Sequence, residues 1–148
     1  MKIDEIDRHI LNILINDSRK SYREIAKESH VSVATVANRV NQLKKSEIIK
    51  GYTTLIDYEE IGYQFHVIIK IRVDHGKEEH VEKKLLNSPN ISAIYDKTGE
   101  YDMTIIARFK TRRDLDNYLK KIQSFEFVHK TQTSLVLDSI KERPIEIS

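Results

Sequence analysis

Residues 21–45 read SYREIAKESHVSVATVANRVNQLKK, and this stretch decides the fold of the N-terminal part of the chain. Ser21-x-x-Glu24 is a capping box: the serine hydroxyl accepts from a backbone amide three residues on, and Glu24 reaches back to the cap. Ile25 and Ala26 face inward on the short helix that follows. Ser29-His30-Val31 supplies a turn, and Ser32 is a second N-cap. Val33, Val36, Ala37, Val40 and Leu43 then recur at i, i+3, i+4, i+7 and i+10, an apolar stripe on a helix of about three to four turns. Thr35, Asn38, Arg39, Gln42 and Lys45 lie on the opposite face. Valine is a mediocre helix former, so packing rather than propensity must hold this helix. Two helices joined by so tight a turn predict a helix-turn-helix, the second helix being shaped for a major groove.

Consecutive amphipathic helices are common, and a polar outer face is usually only hydrated. Charge separates the two readings. Arg19, Lys20, Arg23, Lys27, Arg39, Lys44, Lys45 and Lys50 stand against Glu24, Glu28 and Glu47, while the whole chain carries a net charge of only +2. Positive charge is therefore concentrated where phosphate contacts are needed.

The 148 residues allow one domain or two small ones, and 39% apolar content suffices for compact cores. No apolar run approaches the length that spans a bilayer, so no membrane partner is expected. The opening residues MKIDEIDRHI are polar and acidic, unlike a signal peptide. The absence of cysteine excludes disulfides and thiolate chemistry and fits a cytoplasmic location. Abundant charge, Ile and Lys resemble a thermophile's composition, or equally that of an AT-rich genome.

Asp4 caps a first helix whose inward positions are Ile6, Ile10, Ile13 and Leu14, ending near Asn16-Asp17-Ser18. After the second and third helices, IIKGYTTLIDY reads as a strand or small wing. Asp57–Tyr63 is an acidic, turn-prone linker. From Phe65 the period changes to two: Phe65, Val67, Ile69, Ile71 and Val73 alternate with His66, Ile68, Lys70 and Arg72. Asp74-His75-Gly76 ends that strand. A helix is expected over 77–87 with Val81, Leu85 and Leu86 inward, then strands over Ile91–Lys97 and Met103–Phe109. Thr111-x-x-Asp114 opens a helix carrying Leu115, Tyr118, Leu119 and Ile122, and Val128–Asp138 is the closing strand. The order β-α-β-β-α-β is the ferredoxin-like arrangement. The class is thus α+β: a winged helix-turn-helix over 1–52, a linker strand and hinge over 53–63, and a ferredoxin-like domain over 64–148. The sheet face away from the helices looks too apolar for water, which predicts a homodimer.

The order and spacing of several short motifs carry a resemblance. They run from Ile3-Asp4-x-x-Asp7-Arg8-x-Ile10-Leu11 through Asp17-Ser18-Arg19 and Ser32-x-x-Thr35-Val36-x-x-Arg39-Val40-x-x-Leu43 to Ile49-x-Gly51-Tyr52. Gly99-x-Tyr101-Asp102 and Thr131-x-Thr133-x-x-Val136-Leu137 continue them. Together these resemble the Lrp/AsnC family, the feast/famine regulators of archaea and bacteria. The resemblance implies a DNA-binding transcriptional regulator with an effector-binding second domain, an amino acid as effector, and dimers that assemble further into octamers. Two departures stand out. Glu47 occupies a position after the recognition helix where the family usually has glycine, and Glu126-Phe127 precedes the valine of the last strand, where it again tends to have glycine. Glu47 cannot take a left-handed cap as cheaply as glycine, so the helix end is expected to differ.

For base contacts Ser32, Ala34, Thr35, Asn38, Arg39 and Gln42 are best placed; Arg39 suits guanine and Asn38 adenine. The alternative for Arg39 is an internal pair with an acid such as Glu47. Arg19, Lys20, Arg23, Lys44 and Lys45 are phosphate candidates. An amino-acid effector needs carboxylates or carbonyls for its ammonium and amides or hydroxyls for its carboxylate. Gly99, Glu100, Tyr101 and Asp102, with Thr131, Thr133 and Ser134, are the candidates, and the resemblance points to the same turn, between neighbouring subunits. A tight hairpin with charged tips explains Gly99–Asp102 equally well, and threonine is ordinary in strands.

No resident cofactor, metal or catalytic residue is expected. The six histidines show no metal-ligand spacing, and no phosphate loop or nucleophile motif is present. Two alternatives stay open: a DNA-wrapping architectural protein with little ligand response, and an enzyme resembling the sirohaem decarboxylases.

Overall fold

The computed structural model describes residues 2–148, which divide into two compact units. The first runs to Leu55 and takes back Lys141–Ser148; the second is Ile56–Ile140. Sequence patterning places 141–148 in the second domain. Their place follows instead from side-chain bonds of Asn12 to the backbone of Ile147, which no local periodicity encodes.

The first unit contains α1 (Glu5–Asn16), α2 (Tyr22–Ser29) and α3 (Val33–Lys45). Each opens on a side-chain cap from Asp4, Ser21 or Ser32, and the first two are full capping boxes. Ile10, Ile13, Leu14, Ile25, Ala26, Val36 and Val40 form the core, with Ile6, Tyr22, Val31 and Ile49 packed against it. His30 turns the chain between α2 and α3 with φ 54, a conformation histidine tolerates better than most residues. Val33, expected inward, is 43% exposed because it lies on the first helical turn, ahead of the core. Residues 51–57 form neither strand nor wing, since no neighbouring strand takes up their backbone groups. Glu47 does adopt the left-handed conformation, at φ 56. Ile48 N–H donates to the Leu43 carbonyl and Glu47 N–H to that of Lys44, so α3 ends in the Schellman motif that a glycine would also close.

The second unit contains β1 (Phe65–Val73), α4 (Glu78–Leu85), β2 (Ile91–Asp96), β3 (Met103–Phe109), α5 (Arg112–Gln123) and β4 (Val128–Leu135). The sheet is antiparallel in the order β2-β3-β1-β4, the ferredoxin-like topology. Val67, Ile69, Ile71, Met103, Ile105, Ala107 and Phe109 form a buried layer with Val81 and Leu85 of α4 and Leu115 and Ile122 of α5. Leu86 is 69% exposed because α4 ends before turning it inward. β4 stops at Leu135, short of the expected Asp138. The register puts Ile68, Ile106, Ala93 and Tyr95 on the helix-free face together with His66, Lys70, Arg72, Arg108 and Lys130. That face is therefore mixed, and strongly basic, rather than plainly apolar. Among the described residues no helix is long and apolar enough to cross a membrane.

Candidate nucleic-acid interface and effector cleft

The recognition helix α3 is fixed from behind by Val36, Val40 and Leu43, each fully buried. Its outer face then presents Ala34, Asn38, Gln42 and Lys45 to solvent. Ser32 Oγ is occupied as the cap, accepting from Thr35 N–H at 3.0 Å and meeting Thr35 Oγ1 at 2.8 Å. Its hydroxyl and that of Thr35 thus serve the helix start first. Arg19 and Arg23 are exposed. Lys20 Nζ lies 2.6 Å from Glu28, so its charge is shared before any phosphate arrives. Lys44 Nζ stands 5.3 Å from the centre of the Tyr52 ring.

Arg39 is not a free fork. Its Nη1 lies 2.7 Å from Asp4 Oδ2 and 3.4 Å from Asp7 Oδ2, and its side chain is 30% exposed. The internal partner is therefore the N-terminus of α1 rather than Glu47. Asp7 is completely buried, yet it keeps partners: Asp4 N–H donates to its carboxylate at 3.1 Å, and its own N–H donates to Asp4 Oδ1 at 2.9 Å. The bond from Asp7 N–H, and after it the Arg39 guanidinium, hold the Asp4 carboxyl below its ordinary range. The Ser21 hydroxyl and amide do the same for Glu24 at the start of α2. Asp7 escapes a reading of the sequence for site residues, although the capping-box spacing of Asp4-x-x-Asp7 is a signal that could find it.

In the second unit a cleft of about 580 Å³ is lined by Arg72, Val73, Asp74, His75, Gly99, Glu100, Asp102, His129 and Lys130. Three of the expected effector residues, Gly99, Glu100 and Asp102, meet there. Tyr101 is buried instead, while Thr131, Thr133 and Ser134 lie farther along β4 and do not line it. Thr131 Oγ1 accepts from Gln123 Nε2 at 3.1 Å. Asp102 ties the turn to the end of β1. Its Oδ2 accepts Val73 N–H at 2.7 Å, and its own N–H donates to the Ile71 carbonyl. Gly99 holds the turn at φ +117, a conformation that strains any side chain.

The rest of the cleft comes from distant segments. The Arg72↔Lys130 and Val73↔Val128 pairings bring the end of β1 beside the start of β4. His129 Nε2 meets Asp74 Oδ1 at 2.5 Å, and Lys130 Nζ lies 3.4 Å from Glu100. The Tyr101 phenol, and then Glu100, push the Lys130 ammonium above its usual range. With Asp74, Glu100 and Asp102 so engaged, Arg72 and His75 line the cleft without an ion pair among the described residues. The cleft thus offers both signs of charge within one small volume. Arg72, Asp74, His75, His129 and Lys130 carry no sequence signal as site residues, since a strand register rather than a motif assembles them.

A helix-turn-helix unit followed along the chain by an α+β unit of this topology is the arrangement of a DNA-binding transcriptional regulator with a ligand-binding domain. Matches to known families agree. Residues 3–50 match the winged helix-turn-helix DNA-binding model, and residues 66–145 match the Lrp/AsnC ligand binding domain. The chain belongs to the Lrp/AsnC family. It is 41% identical over 142 residues to an uncharacterized HTH-type transcriptional regulator of Pyrococcus furiosus, covering 96% of each protein. The solved structure of E. coli AsnC aligns with a TM-score of 0.91 at 30% identity, covering 99% of this chain and 100% of that one. A Neisseria meningitidis transcriptional regulator, solved as a complex with L-Met, shares the fold with a TM-score of 0.91 at 22% identity, over 99% and 97% of the two chains.

Proposed function

We propose that this chain is a sequence-specific regulator whose α3 lies in the major groove and whose DNA affinity answers to an amino acid bound in the cleft. The observation that carries the reading is the outer strip of α3. Ala34, Asn38 and Gln42 are exposed at helical spacing, backed by buried valines, with Lys45 at the far end. Asn38 and Gln42 suit adenine edges, and Ala34 suits a thymine methyl. Arg19, Arg23, Lys44 and Lys45 hold phosphates, with Lys20 joining after it leaves Glu28. Arg39 acts at one remove, by clamping α3 to α1.

The cleft supports a zwitterionic effector, with Arg72 for its carboxylate and Glu100 or Asp74 for its ammonium. The L-Met complex of the Neisseria relative, similar in fold, is consistent with this class. Assembly to a homodimer and then an octamer fits the exposed Leu55, Leu135, Leu137 and Ile140. The reading gives the chain no reaction and no resident cofactor.

Selection of bound sequences from a random DNA pool tests the first half, with a repeated half-site as the expected result. Titration calorimetry with the twenty amino acids tests the second. Heat from one or a few is expected, and no heat from any of them removes the effector from the account.

A further inference from the structure

One side of α1 grips another stretch of main chain. Asn12 meets the backbone of Ile147 in both directions: its Nδ2 donates to the Ile147 carbonyl at 2.9 Å, and Ile147 N–H donates to its Oδ1 at 2.8 Å. One turn earlier, Arg8 Nε donates to the Ser148 carbonyl at 3.1 Å. A carboxamide that bonds a residue's N–H and C=O together replaces a rung of a β ladder. Ile147 is half-buried there, whereas Ile145 is 77% exposed. Residues 141–148 contain no helix or strand of their own to hold them in place.

The two ends of this arrangement are informative. The segment continues from β4, whose His129 and Lys130 line the cleft. The helix it docks on holds the recognition helix through Asp4, Asp7 and Arg39. We propose that Arg8 and Asn12 form a docking site for residues 145–148, and that this docked strap steadies α1 and, through the Arg39 clamp, the DNA-reading pose of α3. Few hydrogen bonds at a surface, set against the entropy of ordering a loose segment, leave the strap close to balance. That is the condition for a contact that can be released. The proposal stands on DNA binding alone and does not require the effector.

The test uses the full chain, Asn12→Ala, a variant lacking residues 145–148, and the double variant. Alanine favours helix, so α1 keeps its fold, which far-UV circular dichroism checks. Hydrogen exchange at the Ile147 amide should accelerate about tenfold or more in Asn12→Ala. Each single change should weaken binding to the pool-selected DNA by roughly three- to tenfold, and the double no further than the deletion, because Asn12 has no strap left to hold once residues 145–148 are gone. Unchanged exchange at Ile147, DNA affinity within about twofold of the parent, or effects that multiply in the double variant would each overturn the strap. If Asn12→Ala were to lose helix, the deletion alone decides by the same affinity criterion.

Discussion

The end of α3 and the start of β4 pass through the same left-handed backbone, but a side chain offsets the strain at only one of them. Glu47, at φ 56, is exposed, and the bonds that close α3 there belong to the main chain. Phe127, at φ 72, packs against the core of its unit. Its ring meets His80 edge-on with centroids 5.2 Å apart and lies under Lys77 Nζ, while its carbonyl accepts from Asp74 N–H. At Glu47 a glycine would do all that the residue does. At Phe127 the ring packs on His80 and on the core of the unit, two residues ahead of His129, which lines the cleft. A non-glycine residue in such a turn therefore has two meanings: tolerated strain on the helical unit, and strain exchanged for packing beside the cleft.

The contrast extends to how each region is held. The recognition helix adds a charged clamp, Arg39 on Asp4 and buried Asp7, to its buried Val36, Val40 and Leu43, whereas the sheet is held to its helices by apolar burial. The most disruptive way to break the comparison is Arg39→Ala, which strips a buried carboxylate of its cation. We expect a loss of about 2 kcal/mol in urea unfolding of the helical unit; the pair is partly exposed and Asp7 keeps one backbone donor, so the full cost of a buried pair is not reached. No loss would mean that the clamp does not hold α3. Next comes Phe127→Gly, where lost packing outweighs relieved strain. A net loss of about 1–2 kcal/mol in the second unit is expected, and a gain would show the ring to be dispensable. Glu47→Gly should act with the opposite sign, raising stability by about 0.5–1 kcal/mol without altering the salt dependence of DNA binding.

The smallest effect is one of pH. Asp4 has its carboxyl held below the ordinary 3.8, so its contribution is complete above that value and is lost as pH falls through the lowered one. Acid unfolding of the helical unit, followed by circular dichroism, should shift to higher pH in Asp4→Asn. An unchanged acid midpoint would detach Asp4 from the clamp.

What can be read from residue order alone follows the same division. Caps at Asp4, Ser21, Ser32 and Thr111, the valine stripe of α3 and the alternation through β1 are local patterns, and each specifies its element directly. The exposed strip Ala34-Asn38-Gln42 is legible for that reason. The clamp is not, because Arg39 and Asp7 meet across 32 residues of chain. Nor is most of the cleft, which depends on a register between β1 and β4 with its shift at Arg72/Val73. The strand or small wing expected over IIKGYTTLIDY does not form for a physical reason. β-branched residues favour an extended backbone, but a strand needs a neighbour to take its hydrogen bonds, and none pairs with this stretch among the described residues.

The proposed mode of DNA reading depends above all on Asn38 and its neighbours meeting base edges. The direct test is the affinity of Asn38→Ala for the pool-selected site and for unrelated DNA, measured by anisotropy across a salt series. We predict that specific binding falls by about 1–3 kcal/mol while non-specific binding and its salt slope stay as they were. An Asn38→Ala protein that binds its selected site as tightly as the parent would contradict the placement of α3 in the groove.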